Sequence, residues 1–315
     1  MNKRSKVVRV QKLVLLFFYT GMLALCSCMD AIIDEELARE EDELIQQYLI
    51  DHEIDAVPTT SGLYYIETEE GDSTQPELDD YILIEFTGRS LRDNIMFATT
   101  DYSYAFANSI YSEDILYGPR KTMVNNLRYD GLKEGIQIMK EGGSAQLILP
   151  SYLAEKDYEP LIYEVTLLKV IKDPATYEQK LLDEYLKLLS ITLNWRDDNS
   201  ILTPKNGIYY IETEAGTKKM ISEGDSITIA YEGKLLDGRV FDSYTEEKPL
   251  GLNITADFSL IPGFLQGIKL MSEGSSGILI IPYDMAYGIE GKDKKIPPYS
   301  TLVYNIKILN VFEQK

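Results

Sequence analysis

Ser226-Ile227-Thr228-Ile229-Ala230-Tyr231-Glu232-Gly233-Lys234-Leu235-Leu236-Asp237-Gly238-Arg239-Val240-Phe241-Asp242-Ser243 is the stretch on which the fold turns. Ile227, Ile229 and Tyr231 alternate with Ser226, Thr228 and Ala230, the period of two expected of a strand with one buried face. Asp237-Gly238 then marks a tight turn between two strands. The same strand stands 145 residues earlier, where Ile82-Leu83-Ile84-Glu85-Phe86-Thr87-Gly88 parallels Ile227 to Gly233. Working outward, Gly62-Leu63-Tyr64-Tyr65-Ile66-Glu67-Thr68-Glu69 recurs at the same offset as Gly207-Ile208-Tyr209-Tyr210-Ile211-Glu212-Thr213-Glu214. Gly131 to Met139 parallels Gly263 to Met271, Leu147 to Pro150 parallels Leu279 to Pro282, and Tyr163 to Leu168 parallels Tyr304 to Leu309. Self-similarity at this period means tandem domains rather than a solenoid of short repeats.

Each copy reads as mostly strand with one short helix. Leu250, Leu252 and Ile254 alternate with polar or small residues, as do Leu302, Tyr304, Ile306 and Ile308. Phe264, Leu265, Ile268 and Met271 fall at helical spacing, with Glu273-Gly274 as a stop. An antiparallel sheet packed on a short helix is an α+β fold. A helical stretch precedes each copy, an acidic one over 31–52 and one over 174–193 opened by Pro174. The division is a leader over 1–27, an acidic helical segment over 28–58, a first domain over 59–172, a helical linker over 173–200 and a second domain over 201–315.

Composition narrows the chemistry. The 315 residues carry 31 Lys and Arg against 51 Asp and Glu, a formal charge of −20. Such a chain is repelled by phosphate backbones, so nucleic acid is not expected as a partner. Two Cys and one His leave no set of ligands for the usual zinc cages, so no metal and no cofactor is expected. Nucleophilic triads built on histidine are likewise disfavoured. The one histidine, His52, reads as a solvated side chain at a helix end.

The N-terminus reads as an address. Lys3, Arg4, Lys6, Arg9 and Lys12 precede an apolar run from Leu13 to Leu25. That run is shorter than the ~20 residues a spanning helix needs and has the form of a secretory signal. Its end, Leu25-Cys26-Ser27-Cys28, resembles a bacterial lipoprotein signal with Cys28 as the lipid acceptor. Asp30, Asp34, Glu35 and Glu36 after it resemble export signals of surface lipoproteins in Bacteroidota. The expected location is lipid-anchored outside the cytoplasm, at the outer membrane, facing the periplasm or the surface.

Five blocks stand in order along the second copy: Tyr231-Glu232-Gly233; Leu236 to Ser243; Leu260-Ile261-Pro262-Gly263-Phe264; Gly267 to Gly274; and Ala286-Tyr287-Gly288 followed by Ile296-Pro297-Pro298-Tyr299-Ser300-Thr301-Leu302. In these blocks the second copy resembles, over nearly its whole length, an FK506-binding-protein (FKBP)-type peptidyl-prolyl cis-trans isomerase domain. The resemblance implies a pocket of Tyr231, Phe241, Asp242, Leu260, Ile261, Phe264, Tyr287, Ile296 and Tyr304. Phe264 would be its floor, with Phe241, Tyr231 and Tyr304 clasping a proline ring. The Tyr287 hydroxyl and the Ile261 N–H would donate to substrate carbonyls, and Asp242 would orient Tyr231. Taken singly, each of the aromatic and aliphatic residues is better read as plain core packing. Asp242 is not, because burying a carboxylate is costly. Such chemistry suits the composition: rotation about an X-Pro bond faces a barrier of ~18–20 kcal/mol from amide resonance, and no nucleophile or metal is needed to lower it.

Three features depart from the family pattern: Phe264 where a tryptophan is common, no arginine in the loop after Phe241, and three lysines (Lys292, Lys294, Lys295) before Ile296. The first copy departs further. Phe86 stands for Tyr231, Phe97 for Phe241, Ala98 for Asp242, and Tyr129 and Leu132 for Ile261 and Phe264. Twelve residues separate Pro150 from Tyr163, against 21 between Pro282 and Tyr304. The Ala-Tyr-Gly turn and the Ile-Pro-Pro loop are missing, so this copy reads as a degenerate, non-catalytic domain. It carries instead an aromatic insertion with Tyr102, Tyr104, Phe106, Tyr111 and Tyr117, either a peptide-binding surface or a longer loop. The leading expectation is an isomerase acting on proline-containing peptides or unfolded exported proteins. The rivals are a non-catalytic chaperone-like protein and a surface-interaction lipoprotein that reuses the fold.

Overall fold

The computed structural model describes residues 35–72, 74–154, 159–192, 206–217, 219–254 and 260–313. The leader and Cys28 lie outside these residues. The strands expected from the alternation form two six-stranded antiparallel sheets of the same plan, so the fold is α+β. In the first sheet, β1 (Tyr64–Glu69), β5 (Ser144–Leu149), β6 (Leu161–Ile171) and β2 (Tyr81–Ser90) lie side by side. The free edge of β2 is shared. β3 (Met96–Thr99) pairs with its end at Thr87 to Arg89, and β4 (Arg120–Met123) with its start at Tyr81 to Ile84.

The second sheet repeats this order with β7 (Tyr209–Glu214), β11 (Ser276–Ile281), β12 (Leu302–Phe312) and β8 (Ser226–Leu235). Here β9 (Val240–Tyr244) and β10 (Leu250–Asn253) share the edge of β8. The registers coincide residue for residue: Gly88 faces Tyr163 as Gly233 faces Tyr304.

Each sheet curls over a short helix. α3 (Asp130–Ile138) buries Leu132 and Ile136 with Leu147, Leu149 and Tyr163. α5 (Pro262–Ile268) buries Phe264 and Ile268 with Leu279, Ile281 and Tyr304. α5 stops at Ile268, short of Met271. There the amides of Leu270 and Met271 turn to the carbonyls of Gly267 and Ile268, tightening the last turn to three-residue spacing before Glu273-Gly274 is reached. The insertion of the first domain forms a further helix, α2 (Tyr102–Ala107), capped by Asp101, whose side chain accepts from the Tyr104 N–H at 2.8 Å.

The helices that precede the domains are lids on their own sheets. In α1 (35–51), Ile45 and Leu49 pack with Tyr64, Ile148 and Ile162 on the outer face of the first sheet. In α4 (Pro174–Thr192), Leu182 and Leu186 do the same with Tyr209, Ile211, Ile280 and Val303 on the second. Both helices carry a buried glutamate that is fully engaged. Glu41 accepts from the Ser151 N–H at 2.5 Å and its hydroxyl at 2.7 Å. Glu178 accepts from the Thr301 N–H at 2.7 Å and from Lys121 Nζ at 2.8 Å. Lys121 belongs to the first sheet and also donates to the Tyr299 carbonyl at 3.0 Å, so this buried pair ties both domains to α4. His52 is exposed just past α1, its ring stacked on Tyr48.

Candidate active site

All nine residues expected in the pocket line one cavity of about 750 Å³ at the mouth of the second sheet. Its aromatic wall follows from strand pleating. Tyr231 on β8 and Tyr304 on β12 point to the same face, with ring centroids 5.4 Å apart. Phe241 on β9 meets Tyr304 edge-on at 5.7 Å. Phe264, in the first turn of α5, closes the floor at 4.9 Å from Tyr304. Phe241, Phe264, Ile296 and Tyr304 are buried, whereas Tyr231 is half-buried and reaches the rim. Edge-to-face rings hold each other at fixed angles and line the cup with apolar ring faces.

The cup depends on a residue with no side chain. A Cβ on Gly233 would lie 2.7 Å from Phe241 Cζ and 3.0 Å from Tyr304 Cε1. Glycine at this point of β8 therefore lets two rings close over the strand.

Polar groups sit only at the rim. Tyr231 donates its hydroxyl to Asp242 Oδ2 at 2.5 Å. The bond joins neighbouring strands, because Gly233 is the register partner of Asp242. Burial and the adjacent carboxylate push the Tyr231 hydroxyl well above its usual pKa, and burial does the same to Tyr304. Both phenols therefore stay protonated and available as donors. Asp242 itself is exposed at the rim, so the burial cost that set it apart in the sequence is not incurred. Tyr287 stands on the opposite side beside Lys292, whose Nζ lies 3.5 Å from its hydroxyl and 5.1 Å from its ring centre. Ile261 is the N-cap of α5, and its N–H has no acceptor among the described residues.

Sequence reasoning missed Leu250 and Asp293 of the same domain and, from farther off, Ser112 and Asp114 of the first domain's insertion, which line the same cavity. Leu116 of that insertion packs against the core of the second domain and donates its N–H to the Lys294 carbonyl at 3.2 Å. Arg239 reaches back to the carbonyls of Pro119 and Tyr117 at 2.9 and 3.4 Å. The insertion was legible as aromatic, but nothing in its spacing said that it docks on a domain more than a hundred residues away. Its aromatics Tyr102, Tyr104, Phe106 and Tyr111 remain exposed, and Tyr102, Tyr111 and Tyr117 pack edge-on or stacked within 6 Å of one another.

A family sequence model described as FKBP-type peptidyl-prolyl cis-trans isomerase matches residues 217–309, the span that holds this cup. A protein of Neisseria meningitidis, "Probable FKBP-type peptidyl-prolyl cis-trans isomerase FkpA", is 36% identical over 114 residues, 36% of this chain and 41% of that protein. The Escherichia coli "FKBP-type peptidyl-prolyl cis-trans isomerase FkpA" is 28% identical over 220 residues, 68% of this chain and 80% of the relative. Among solved structures, that of FkpA from Escherichia coli aligns with a TM-score of 0.37 at 31% identity, over 44% of this chain and 61% of that one.

Proposed function

We infer that this chain, which belongs to the FKBP-type peptidyl-prolyl cis-trans isomerase family through its C-terminal domain, isomerises X-Pro bonds in the cup of that domain. The observation that carries the reading is the aromatic cup with its hydroxyl and carboxylate confined to the rim. A planar amide has a large dipole that water stabilises, and twisting the C–N bond reduces it. A site that strips water from the amide and offers no dipole in return favours the twisted state over the planar one, which is the condition for catalysis. The proline ring sits between Tyr231, Phe241 and Tyr304 over Phe264. The Ile261 N–H and the Tyr287 hydroxyl hold the flanking carbonyls, so the peptide is fixed while one bond turns. Asp242 keeps the Tyr231 ring in place by accepting a hydrogen bond from its hydroxyl. No covalent bond to the protein forms, in keeping with a cup of rings and aliphatics.

Proline-containing peptides and unfolded exported proteins are the proposed substrates. The basic and apolar leader with Cys28 supports lipid anchoring outside the cytoplasm, at the outer membrane. Among the described residues no helix is long and apolar enough to cross a membrane. Incorporation of a fatty-acid analogue that is lost in Cys28→Ser tests the anchor. The isomerase reading is tested by cis–trans exchange of a proline tetrapeptide with the full chain. Exchange accelerated by the unaltered protein and abolished in folded Phe241→Ala/Asp242→Ala upholds it. No acceleration by the folded unaltered protein overturns it.

A further inference from the structure

The first domain keeps a cup of its own in the register-equivalent place, and the charged residues that line it are all basic, where the second cup mixes both signs. Phe86, Phe97 and Tyr163 occupy the positions of Tyr231, Phe241 and Tyr304, with ring centroids 6.1 Å (Phe86 to Tyr163) and 5.8 Å (Phe97 to Tyr163) apart. Gly88 serves them as Gly233 serves its counterparts: a Cβ there would lie 2.7 Å from Tyr163 and 3.1 Å from Phe97. Ala98 pairs with Gly88 where Asp242 pairs with Gly233, so the rim carboxylate is gone.

Two arginines have entered instead. Arg120 pairs with Ile84 as Leu250 pairs with Ile229, so it stands in the place of an aliphatic residue that lines the second cup. Arg128 precedes α3 by the same two positions as Leu260 precedes α5. Their guanidinium carbons lie 5.3 Å from the centre of the Phe86 ring and 5.1 Å from that of Tyr129. Among the described residues no carboxylate lies within 4.0 Å of the Arg120 guanidinium, which is exposed at the cup's edge, while the protein around it lowers its pKa by desolvation. An exposed guanidinium held over a ring at the edge of an apolar cup is a receptor for a planar anion.

The cavity also selects size. It holds about 400 Å³, against 750 Å³ in the second domain, and Ile110, Ile115 and the second domain's Lys294 contribute to its lining. That is at the small end of ligand pockets, room for the end of a chain rather than for a chain running through. A protein carrying a formal charge of −20 repels polyanionic partners at long range. The fitting ligand therefore bears a single carboxylate on an apolar body.

We propose that the first domain is a receptor for the free C-terminal carboxylate of a peptide ending in an apolar residue, with the side chain in the cup of Phe86, Phe97 and Tyr163 and the carboxylate on Arg120. The site uses its own set of rings and shares only Lys294 with the lining of the isomerase cup.

The test is calorimetric titration of the full chain with N-acetyl-Ala-Ala-Leu as the free acid, as the C-terminal amide, and with the internal acidic peptide N-acetyl-Ala-Glu-Leu-Ala-amide. None contains proline, so the isomerase cup is not addressed. The free acid should bind one site per chain, and the amide at least tenfold more weakly. Arg120→Gln should weaken free-acid binding about 10-fold or more, the usual weight of a charge-assisted hydrogen bond. Ala98→Asp, which restores the rim carboxylate, should weaken it in the same direction. Both positions are at the rim, and an unchanged melting temperature verifies folding. Equal binding of acid and amide, tighter binding of the internal acidic peptide, indifference to Arg120→Gln in folded protein, or loss of binding in Phe241→Ala would each overturn the proposal.

Discussion

Gly233→Ala is the sharpest probe of the second cup, because it adds one methyl group and removes no functional atom. The new Cβ would lie 2.7 and 2.8 Å from Phe241 Cζ and Cε2 and 3.0 Å from Tyr304 Cε1. Carbon atoms rest at ~3.5–4.0 Å, so the Phe241 ring must retreat by ~0.8 Å or more. Both rings are buried, Phe241 at 7% and Tyr304 at 6% exposure, and each is braced by others, so neither can swing into water. Overpacking of this kind costs ~1–3 kcal/mol. It is offset by less than ~1 kcal/mol from the reduced freedom of the unfolded chain. A displacement near 1 Å in a positioning wall can lower a rate by ~100-fold. We therefore expect kcat/KM for a proline tetrapeptide to fall ~10- to 100-fold, with a modest drop in the melting temperature of the second domain.

Gly135→Ala supplies the matched control. Its Cβ would lie 2.5 Å from Leu147 Cδ1, inside the core of the first domain and away from either cup. It should destabilise the first domain by a similar amount and leave isomerisation within twofold of the unaltered chain. Thermal scans followed domain by domain give the stabilities, and cis–trans exchange gives the rates. Gly233→Ala with unimpaired turnover, or Gly135→Ala with the same loss, would show that ring placement does not set the rate.

Tyr231→Phe removes the donor to Asp242 while keeping the ring, and Asp242→Asn keeps a hydrogen-bond partner without the charge. Tyr231→Phe should lower kcat/KM about 5-fold, consistent with about 1 kcal/mol for one hydrogen bond, and Asp242→Asn by less. Alkaline stability should decline from about pH 10, because Tyr210, Tyr231 and Tyr304 have raised pKa values, Tyr210 to about 12. The unfolded phenols lose their protons near 10 while the folded ones hold theirs, so stability present below pH 10 is lost as pH rises toward the folded values. Denaturant midpoints from pH 8 to 11 measure this, and Tyr210→Phe should shallow the decline. Lys121→Met removes one half of a buried pair whose other half, Glu178, is 6% exposed. A loss of ~3–5 kcal/mol should appear as earlier separation of the two domains' unfolding transitions; coincident, unshifted transitions would refute a coupling role.

The fold was legible because its signals are local and written twice. Strand alternation at Ile227, Ile229 and Tyr231, the Asp237-Gly238 turn and the 145-residue offset all act within a few residues or by direct repetition. The nine cup residues were legible through the family blocks that carry them. What stayed hidden depends on how separate elements meet. Arg120-Lys121-Thr122-Met123 has no apolar alternation and little strand propensity, so only pairing with β2 makes it a strand and places Arg120 opposite Ile84. Ser112 and Asp114 reach the second cavity because Leu116 and Arg239 dock the insertion across the domain boundary. No periodicity records such an interface. The preceding segments were legible as helices, but that they cap the domains needed the packing of Leu182 and Leu186 on Tyr209 and Ile280.

The two copies also separate what packing preserves from what chemistry preserves. Tyr163 is 4% exposed and belongs to the first domain's core with Leu132 and Leu147, as Tyr304 does in the second with Phe264 and Leu279. Losing such a ring opens a cavity at a cost of ~3–5 kcal/mol, comparable to the stability of a whole domain. Rings therefore persist in a cup whether or not it catalyses, and their presence carries little information about turnover. Rim positions bear no such constraint. Asp242 is exposed, so Ala98 in its place costs the core little, and Arg120, which replaces the core-edge Leu250, is itself exposed. The rim is thus where the two domains can acquire different ligands on one scaffold. Tyr231 with Asp242 against Phe86 with Ala98 is the comparison that distinguishes an isomerase from a receptor.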